Sequence, residues 1–439
     1  MRRCCVEGLP GFDLQDGERL ELTAAVDAFA TDSLVLREPG ELYALRHDIP
    51  RLGGPMSRPV EAWLERLDPV TLATTACSHR LPGGVFWPGG VAAHANGSLH
   101  MVFGCWAHRL SPGLELLASH RLPVERPHNS FVVLDTGELV MKDCDAPAGL
   151  ERSTVSVLDP ETLLPVAPPL RLPEPSIARL SSDGESVIAL GTTVAMRLRL
   201  DRERGRLVLD ERWRPTYGPA PGRSYGWDPV ITPEHVLWMD NGRNETDRTM
   251  LGTGSSPDPV RLWWARRDDG RAVRSVEISG LPHGTESNPP AWDPVGGVVL
   301  AYDAGNAVLR AWRLTGDELE PLWRRDGFAH AGHLILYPRT RELIAQDWAD
   351  MPALRRPSLR WAMRPAMQAL AHVPAAHRAS LRTGADQLVL LDLDTGREKG
   401  RVGVPSASQG FLFPAPGFGR DVYYQSLTTI ARVAVQGAA

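Results

Sequence analysis

Little in this 439-residue chain points to a membrane, to nucleic acid or to a disulfide framework. No apolar run approaches the roughly 18–20 residues that span a bilayer as a helix. Forty-eight basic residues stand against 53 acidic ones, for a formal net charge of −5, and that balance gives no electrostatic footprint for nucleic acid. Cysteine is scarce. The five thiols, Cys4, Cys5, Cys77, Cys105 and Cys144, are odd in number and lack metal-ligand spacing. Cys4-Cys5 offers a reactive pair, although buried or incidental thiols are the preferred reading. The opening MRRCCVEGLPGFDLQDGERL has two arginines but no apolar stretch after them. No signal peptide is therefore expected, and a cytoplasmic protein is the default.

Glycine and proline are plentiful, 41 and 38 residues, and spread evenly, in a chain that is 43% hydrophobic with 13 Trp. Such spacing suits many short strands joined by turns. Residues 286–314, ESNPPAWDPVGGVVLAYDAGNAVLRAWRL, give the unit. An apolar segment, a Gly-Gly turn, a β-branched run ending on Asp303, a small loop and the alternating AVLRAW form three strands, with a fourth in DELEPLWRR. A module this small buries little alone and implies copies of itself. Hairpins of the same kind recur at 33–48, 90–104, 129–143, 176–191, 228–240, 333–347 and 411–425. Third strands follow in AWLERLDP, CWAHRLSP, TVSVLDPET, VAMRLRLD, VRLWWARRD, QLVLLDLDTG and TTIARVAV; fourth strands, such as TLLPVAPPLRL and RLVLDERW, are weaker.

A period of about 40–60 residues with four strands per unit and no intervening helix is the signature of a β-propeller. The expectation is an all-β chain, 1–439 as a single domain, of four-stranded antiparallel blades. Eight blades are counted; seven is the alternative if 15–60 is decoration. Residues 1–32 form an N-terminal arm whose strand, ERLELTAAV, completes the C-terminal blade and removes an exposed edge. Residues 348–386 depart from the pattern. PSLRWAMRPAMQALAHV within them reads as an amphipathic helix, a lid packed on the propeller in preference to a membrane-surface helix.

In a propeller the first strand of each blade lines the central channel. The loops between second and third strands lie on the face where those first strands begin. The long insertions, 49–60, 144–153, 241–259 and 348–386, are all of this kind and would roof the channel mouth, where sites are built. Counting back from each hairpin places Ser33, Gly89, His128, Ser176, Tyr225, Asn288, Gly332 and Gly410 at that mouth. His128, Glu286 and His333 are the acid–base or nucleophile candidates. Asn129, Asp228 and Asn288, with Glu286, are suitable oxygen ligands for a divalent cation of the Ca, Mg, Mn or Zn class. Trp87, Tyr225, Trp227, His330 and Gln409 are candidates for substrate contact. Asp143, Asp240, Asp303 and Asp347 recur at the end of second strands, and their repetition points to turn-stabilising roles.

The 286–314 unit resembles those of the gluconolactonase/senescence-marker and strictosidine-synthase-like propellers and of NHL repeats. In the first family the Asn before such a hairpin is a metal ligand, which would fall on Asn288. HNSFVVLDTGEL is similar to another hairpin of that family and would add Asn129. WMDNGRN and the His-led HNSFVV are similar to arylsulfotransferase propellers, which use channel histidines. The resemblance implies a small-molecule enzyme at the channel mouth, either a metal-assisted, lactonase-like hydrolase or a lyase or synthase using His/Glu acid–base groups. The alternative is a non-catalytic propeller binding a protein or ligand on the same face.

Overall fold

The structure, a computed structural model, describes residues 9–28, 30–38, 40–48, 60–84, 88–144, 151–217, 228–240, 258–282, 284, 289–328, 331, 333–347, 386–406, 410–414, 420–426 and 429–437. These contain 33 strands and no helix. The strands assemble into eight antiparallel sheets, and the chain is an eight-bladed β-propeller. The amphipathic helix expected within 348–386 lies outside the described residues.

Blade 1 runs Thr31–Leu36, Leu42–His47, Val60–Leu67 and Thr74–Cys77, with Leu81–Gly84 as a fifth strand on the third. Blade 2 is Pro88–Ala93, Leu99–Phe103, Trp106–Leu110 and Leu116–Arg121. Blade 3 is His128–Val133, Leu139–Asp143, Thr154–Leu158 and Leu170–Arg171. Blade 4 is Ser181–Asp183, Ser186–Leu190, Ala195–Asp201 and Arg206–Leu209. Blade 5 is Val230–Ile231, His235–Met239, Arg261–Arg266 and Val273–Glu277. Blade 6 is Ala291–Asp293, Val298–Asp303, Val308–Thr315 and Glu318–Asp326. Blade 7 is Ile335–Tyr337, Glu342–Asp347, Asp386–Asp392 and Glu398–Val404. Blade 8 is Gly410–Pro414, Asp421–Ser426 and Thr429–Gln436, completed by Arg19–Asp27 from the other end of the chain.

Contacts divide the chain into two compact units, one of residues 45–65 and 77–290, the other of 2–44, 66–76 and 291–439. Within each unit the cores lie between consecutive blades. Val132, Val140, Val155, Val187, Met196 and Leu198 join blades 3 and 4 in the first. Leu300, Leu309, Leu336, Leu343, Val389 and Leu391 join blades 6 and 7 in the second.

Burial explains which strands the sequence announces. Every residue of the second strands Leu42–His47, Leu99–Phe103, Leu139–Asp143, Val298–Asp303 and Asp421–Ser426 is buried, so they read as mainly apolar runs. Thr74–Cys77 is wholly exposed and Leu116–Arg121 mostly so, and fourth strands leave a faint mark. In blade 3 the predicted fourth strand shrinks to Leu170–Arg171. Pro165, Pro168 and Pro169 remove ladder donors from the rest of TLLPVAPPLRL.

A D-x-x-T sequence closes the turn after the third strand in three blades. Asp68 Oδ1 accepts from the N–H and hydroxyl of Thr71, at 2.7 and 2.9 Å. Asp159 does the same with Thr162, at 2.8 and 2.9 Å, and Asp392 with Thr395, at 2.8 and 2.7 Å. The Trp side chains sort by position too. The Nε1–H of Trp213, after blade 4, donates to Arg266 O of blade 5 at 2.8 Å. Trp323 of blade 6 reaches Leu393 O, after blade 7's third strand, at the same distance.

In the second unit the N-terminal strand closes blade 8 in register from Arg19↔Gln436 to Asp27↔Thr429, with a bulge between Leu22 and Ala24. The segment before it is anchored on Glu342, which is fully buried and pairs with Lys399. Its carboxylate also accepts from Phe12 N at 2.6 Å and Asp13 N at 3.0 Å. Glu342→Gln leaves the Lys399 ammonium without its carboxylate. It should lower unfolding stability by about 2–4 kcal/mol, read by urea denaturation. A shift below about 0.5 kcal/mol would show that Glu342 anchors nothing.

Candidate functional site

The first unit gathers buried polar groups where blades 3 and 4 begin. Gly89 makes room for the approach of blade 3 to blade 2, since a Cβ there would lie 2.8 Å from His128 O. His128 opens blade 3, is paired in register with Asp143, and is 1% exposed. Its backbone N–H donates to Gly104 O at 2.8 Å, and its Nδ1 lies 3.0 Å from both Gly104 O and Arg126 O. Nδ1 therefore carries the proton, and the ring ties blade 3 to the turn of blade 2.

Next to Asp143 stands Lys142, with no exposed surface. Its Nζ donates to Ser176 O at 2.8 Å and lies 3.4 Å from Asp143 O. Ser153 Oγ donates to the same Ser176 carbonyl at 3.0 Å. Burial holds the Lys142 ammonium below the usual lysine range, against the opposing pull of Cys144, Asp143 and Asp228. Sequence reasoning missed this residue. A signal existed: Lys142 and Lys399 are the only lysines among 48 basic residues. Where arginine fills nearly every cationic position, a lysine inside a buried strand marks a group whose charge can be lost.

Ser176 does not begin the first strand of blade 4, as the hairpin count predicts; that strand is Ser181–Asp183. The backbone before it is satisfied by side chains. Leu180 N donates to Ser130 Oγ at 2.7 Å and Arg179 N to Asp228 Oδ1 at 2.5 Å. Asp228 is thus engaged as a cap for blade 4, with Arg179 Nε 3.9 Å from its other oxygen.

Three of the four recurring aspartates accept from backbone N–H groups, Asp303 within the following turn and Asp143 and Asp240 across an insertion. Asp143 Oδ1 accepts from Thr154 N, and Asp240 Oδ1 is 3.4 Å from Arg261 N. Asp48 Oδ1 accepts from Glu61 N at 2.8 Å. Each pair ties the two ends of a long insertion, 144–153, 241–259 or 49–60. Asp303 caps the tight turn to Asn306 N at 3.1 Å.

In the second unit His333 is buried. Its N–H donates to Gln346 Oε1 at 3.1 Å, and its Nδ1 accepts from Leu412 N at 2.8 Å. That ring links blade 7 to blade 8 much as His128 links blade 3 to blade 2. Trp87, Tyr225, Trp227, Glu286, Asn288, His330, Gly332 and Gln409 lie outside the described residues, as does the side chain of Asn129. Among the described residues no group of three or more His, Cys, Asp or Glu side chains is arranged to hold a metal. One further pair has a nucleophile's geometry: Ser119 Oγ is 2.8 Å from His108 Nδ1, and His108 Nε2 is 2.7 Å from Pro82 O. Burial lowers that imidazole to about 4, too weak a base for the task, and the pair ties the fourth strand of blade 2 to the third.

No protein-family model matches the chain, and no curated protein matches it. Solved structures do. The quinohemoprotein alcohol dehydrogenase ADHIIG of Pseudomonas putida HK5 is similar at 10% identity and a TM-score of 0.61, over 100% of this chain and 79% of that one. The quinohemoprotein alcohol dehydrogenase of Comamonas testosteroni is similar at 9% identity and a TM-score of 0.61, over 98% and 78%. The Dos1 propeller follows at 9% identity and a TM-score of 0.54, over 94% and 95%. Identities this low show a shared propeller fold and nothing finer. The gluconolactonase and NHL resemblance draws no support from these neighbours.

Burial lowers four imidazoles of the first unit, His47, His108 and His128 to about 4 and His100 to about 3. The unfolded chain, titrating near 6.5, then binds these protons before the folded one does. Stability is full above pH 6.5 and is lost as pH falls toward 4. Between about pH 7 and pH 5 each should cost roughly 1–2 kcal/mol, read from urea midpoints. Neither ring nitrogen of His100 has a hydrogen-bond partner. His100→Leu should therefore flatten the profile at little cost in stability at pH 7. An unchanged slope in that variant would show that His100 is not a neutral buried imidazole.

Proposed function

We propose that the protein is an enzyme acting on a small carbonyl compound, with Lys142 as its amine nucleophile or proton acceptor. The reading belongs to the lyase or synthase class and gives Lys142 the leading role over His128. The observation that carries it is the complete burial of Lys142 in a chain with one other lysine. Desolvation favours the neutral amine, the reactive form. Lys142 also stands near the end of the second strand of blade 3, two residues before the 144–153 insertion.

In the covalent form of this chemistry the Lys142 amine adds to the substrate carbonyl carbon. Oxygen leaves as water and a C=N bond remains, which borohydride reduces to a stable secondary amine. Incubation with pyruvate or glycolaldehyde and borohydride near pH 7.5, followed by peptide mass spectrometry, should place the adduct on Lys142. Lysine labelling is unambiguous with two lysines present. Adducts confined to Lys399 or the N-terminus would overturn the proposal. A divalent ion near stoichiometry, lost in Asn288→Ala, would favour the metal-assisted hydrolase instead.

Lys142→Met should abolish the adduct while leaving unfolding stability unchanged or raising it by up to about 3 kcal/mol, because it removes a desolvated charge. The folded-state value lies below that of the unfolded lysine, 10.5, so wild-type stability should climb as pH rises toward 10.5. Lys142→Met should lose that climb. Marked destabilisation of the variant at neutral pH would make Lys142 a structural residue.

A further inference from the structure

An open groove of about 440 Å³ lies in the first unit between blades 4 and 5, lined by Asp183, Ser186, Arg197, Arg199, Pro233, Arg267 and Asp268. Its walls are the first-to-second-strand turns of both blades, the third-to-fourth-strand turn of blade 5 and the third strand of blade 4, away from the end of blade 5 where the 241–259 insertion begins. Its hydrogen-bond inventory is unbalanced. Arg267 engages both terminal nitrogens: it pairs with Asp183 and reaches Thr232 O and Pro233 O at 3.2 and 3.1 Å. Asp268 is taken by Arg266 at 3.0 Å.

Arg197 and Arg199 share Asp210, and Asp183, already paired with Arg267, also acts on Arg197. Asp210 Oδ2 is 3.9 Å from Arg197 Nη1 and 3.8 Å from Arg199 Nη2, both too long for hydrogen bonds. Arg197 donates once, to Arg267 O at 2.5 Å, while its Nε is buried without an acceptor. Stacking on Trp213, with the guanidinium 4.6 Å from the ring centroid, fixes the fork in place. Burial lowers the Arg197 guanidinium from its ordinary value against the pull of Asp183 and Asp210, and Arg267 and Arg199 repel it. Three guanidinium groups thus converge with more donors than the local carboxylates use. An anion is the ligand that satisfies the surplus donors and relieves the repulsion together.

We propose that this groove is a binding site for a phosphate-bearing small molecule, with Arg197 and Arg199 as its forked donors and the Ser186 hydroxyl lining the same groove. A tetrahedral phosphate offers three acceptor oxygens to two guanidinium forks and a hydroxyl; a planar carboxylate offers two. The site is independent of Lys142.

Inorganic phosphate, with sulfate and acetate as comparisons, is titrated calorimetrically into the full-length protein at low ionic strength. Wild type should bind one phosphate saturably below about 10 mM, more tightly than acetate, and more weakly as salt is raised. Arg199 is 58% exposed, so Arg199→Gln should fold normally. It should weaken phosphate at least about tenfold. Arg197→Lys keeps the charge but removes the fork and should weaken it comparably. Lys142→Met should bind phosphate as wild type does, so failure of the catalytic reading leaves this one standing. No saturable binding by wild type, or an affinity unchanged in Arg199→Gln, overturns the proposal. Equal affinity for acetate would remove the phosphate assignment.

Discussion

The second strand of each blade has little or no solvent-facing side. In Leu139–Asp143 and Glu342–Asp347 every residue is buried, charged ones included. Each polar group in such a strand must find a partner inside the protein or lose its charge. Glu342 meets this with Lys399 and the N–H groups of Phe12 and Asp13. Asp143 meets it with Thr154 N and with Arg126, 2.6 Å away. Lys142, on the same strand, has the carbonyls of Ser176 and Asp143 within reach and a lowered affinity for its proton. One constraint thus yields both the scaffolding and the most chemically distinctive residue of the first unit.

The same constraint decided what could be read in the sequence. Eight hairpins were legible because buried second strands leave mainly apolar runs, and ERLELTAAV was legible as the closing strand because its alternation matches a half-buried edge. The fourth strand of blade 3 was overdrawn because its prolines carry apolar character without ladder donors. The start of blade 4 was misplaced by five residues, because Ser176–Leu180 satisfies its backbone through Asp228 and Ser130 rather than through a partner strand. Site residues were harder still. Lys142 hides in an apolar run, VMKD, where periodicity sees only core. His128 and His333 were found by position, but the structure commits their Nδ1 atoms to backbone partners of the neighbouring blade.

The two sites proposed above lie at different places in their blades: Lys142 near the end of a second strand, the arginine groove among the turns and third strand of blades 4 and 5. The two depend on different physics. Desolvation lowers the hold of Lys142 on its proton, whereas Arg197 and Arg199 have more donors than nearby acceptors use. Propellers of similar shape share only 9–10% identity with this chain, and the fold alone does not set the chemistry.

The aspartate ties at Asp48, Asp143 and Asp240 have a consequence for how such a chain can change. Each joins the two ends of an insertion by a hydrogen bond from the first turn of the next strand. Lengthening or exchanging the intervening residues adds only a slowly growing loop-closure cost. The blades act as a socket with fixed contacts, into which new recognition loops can be plugged without refolding the core.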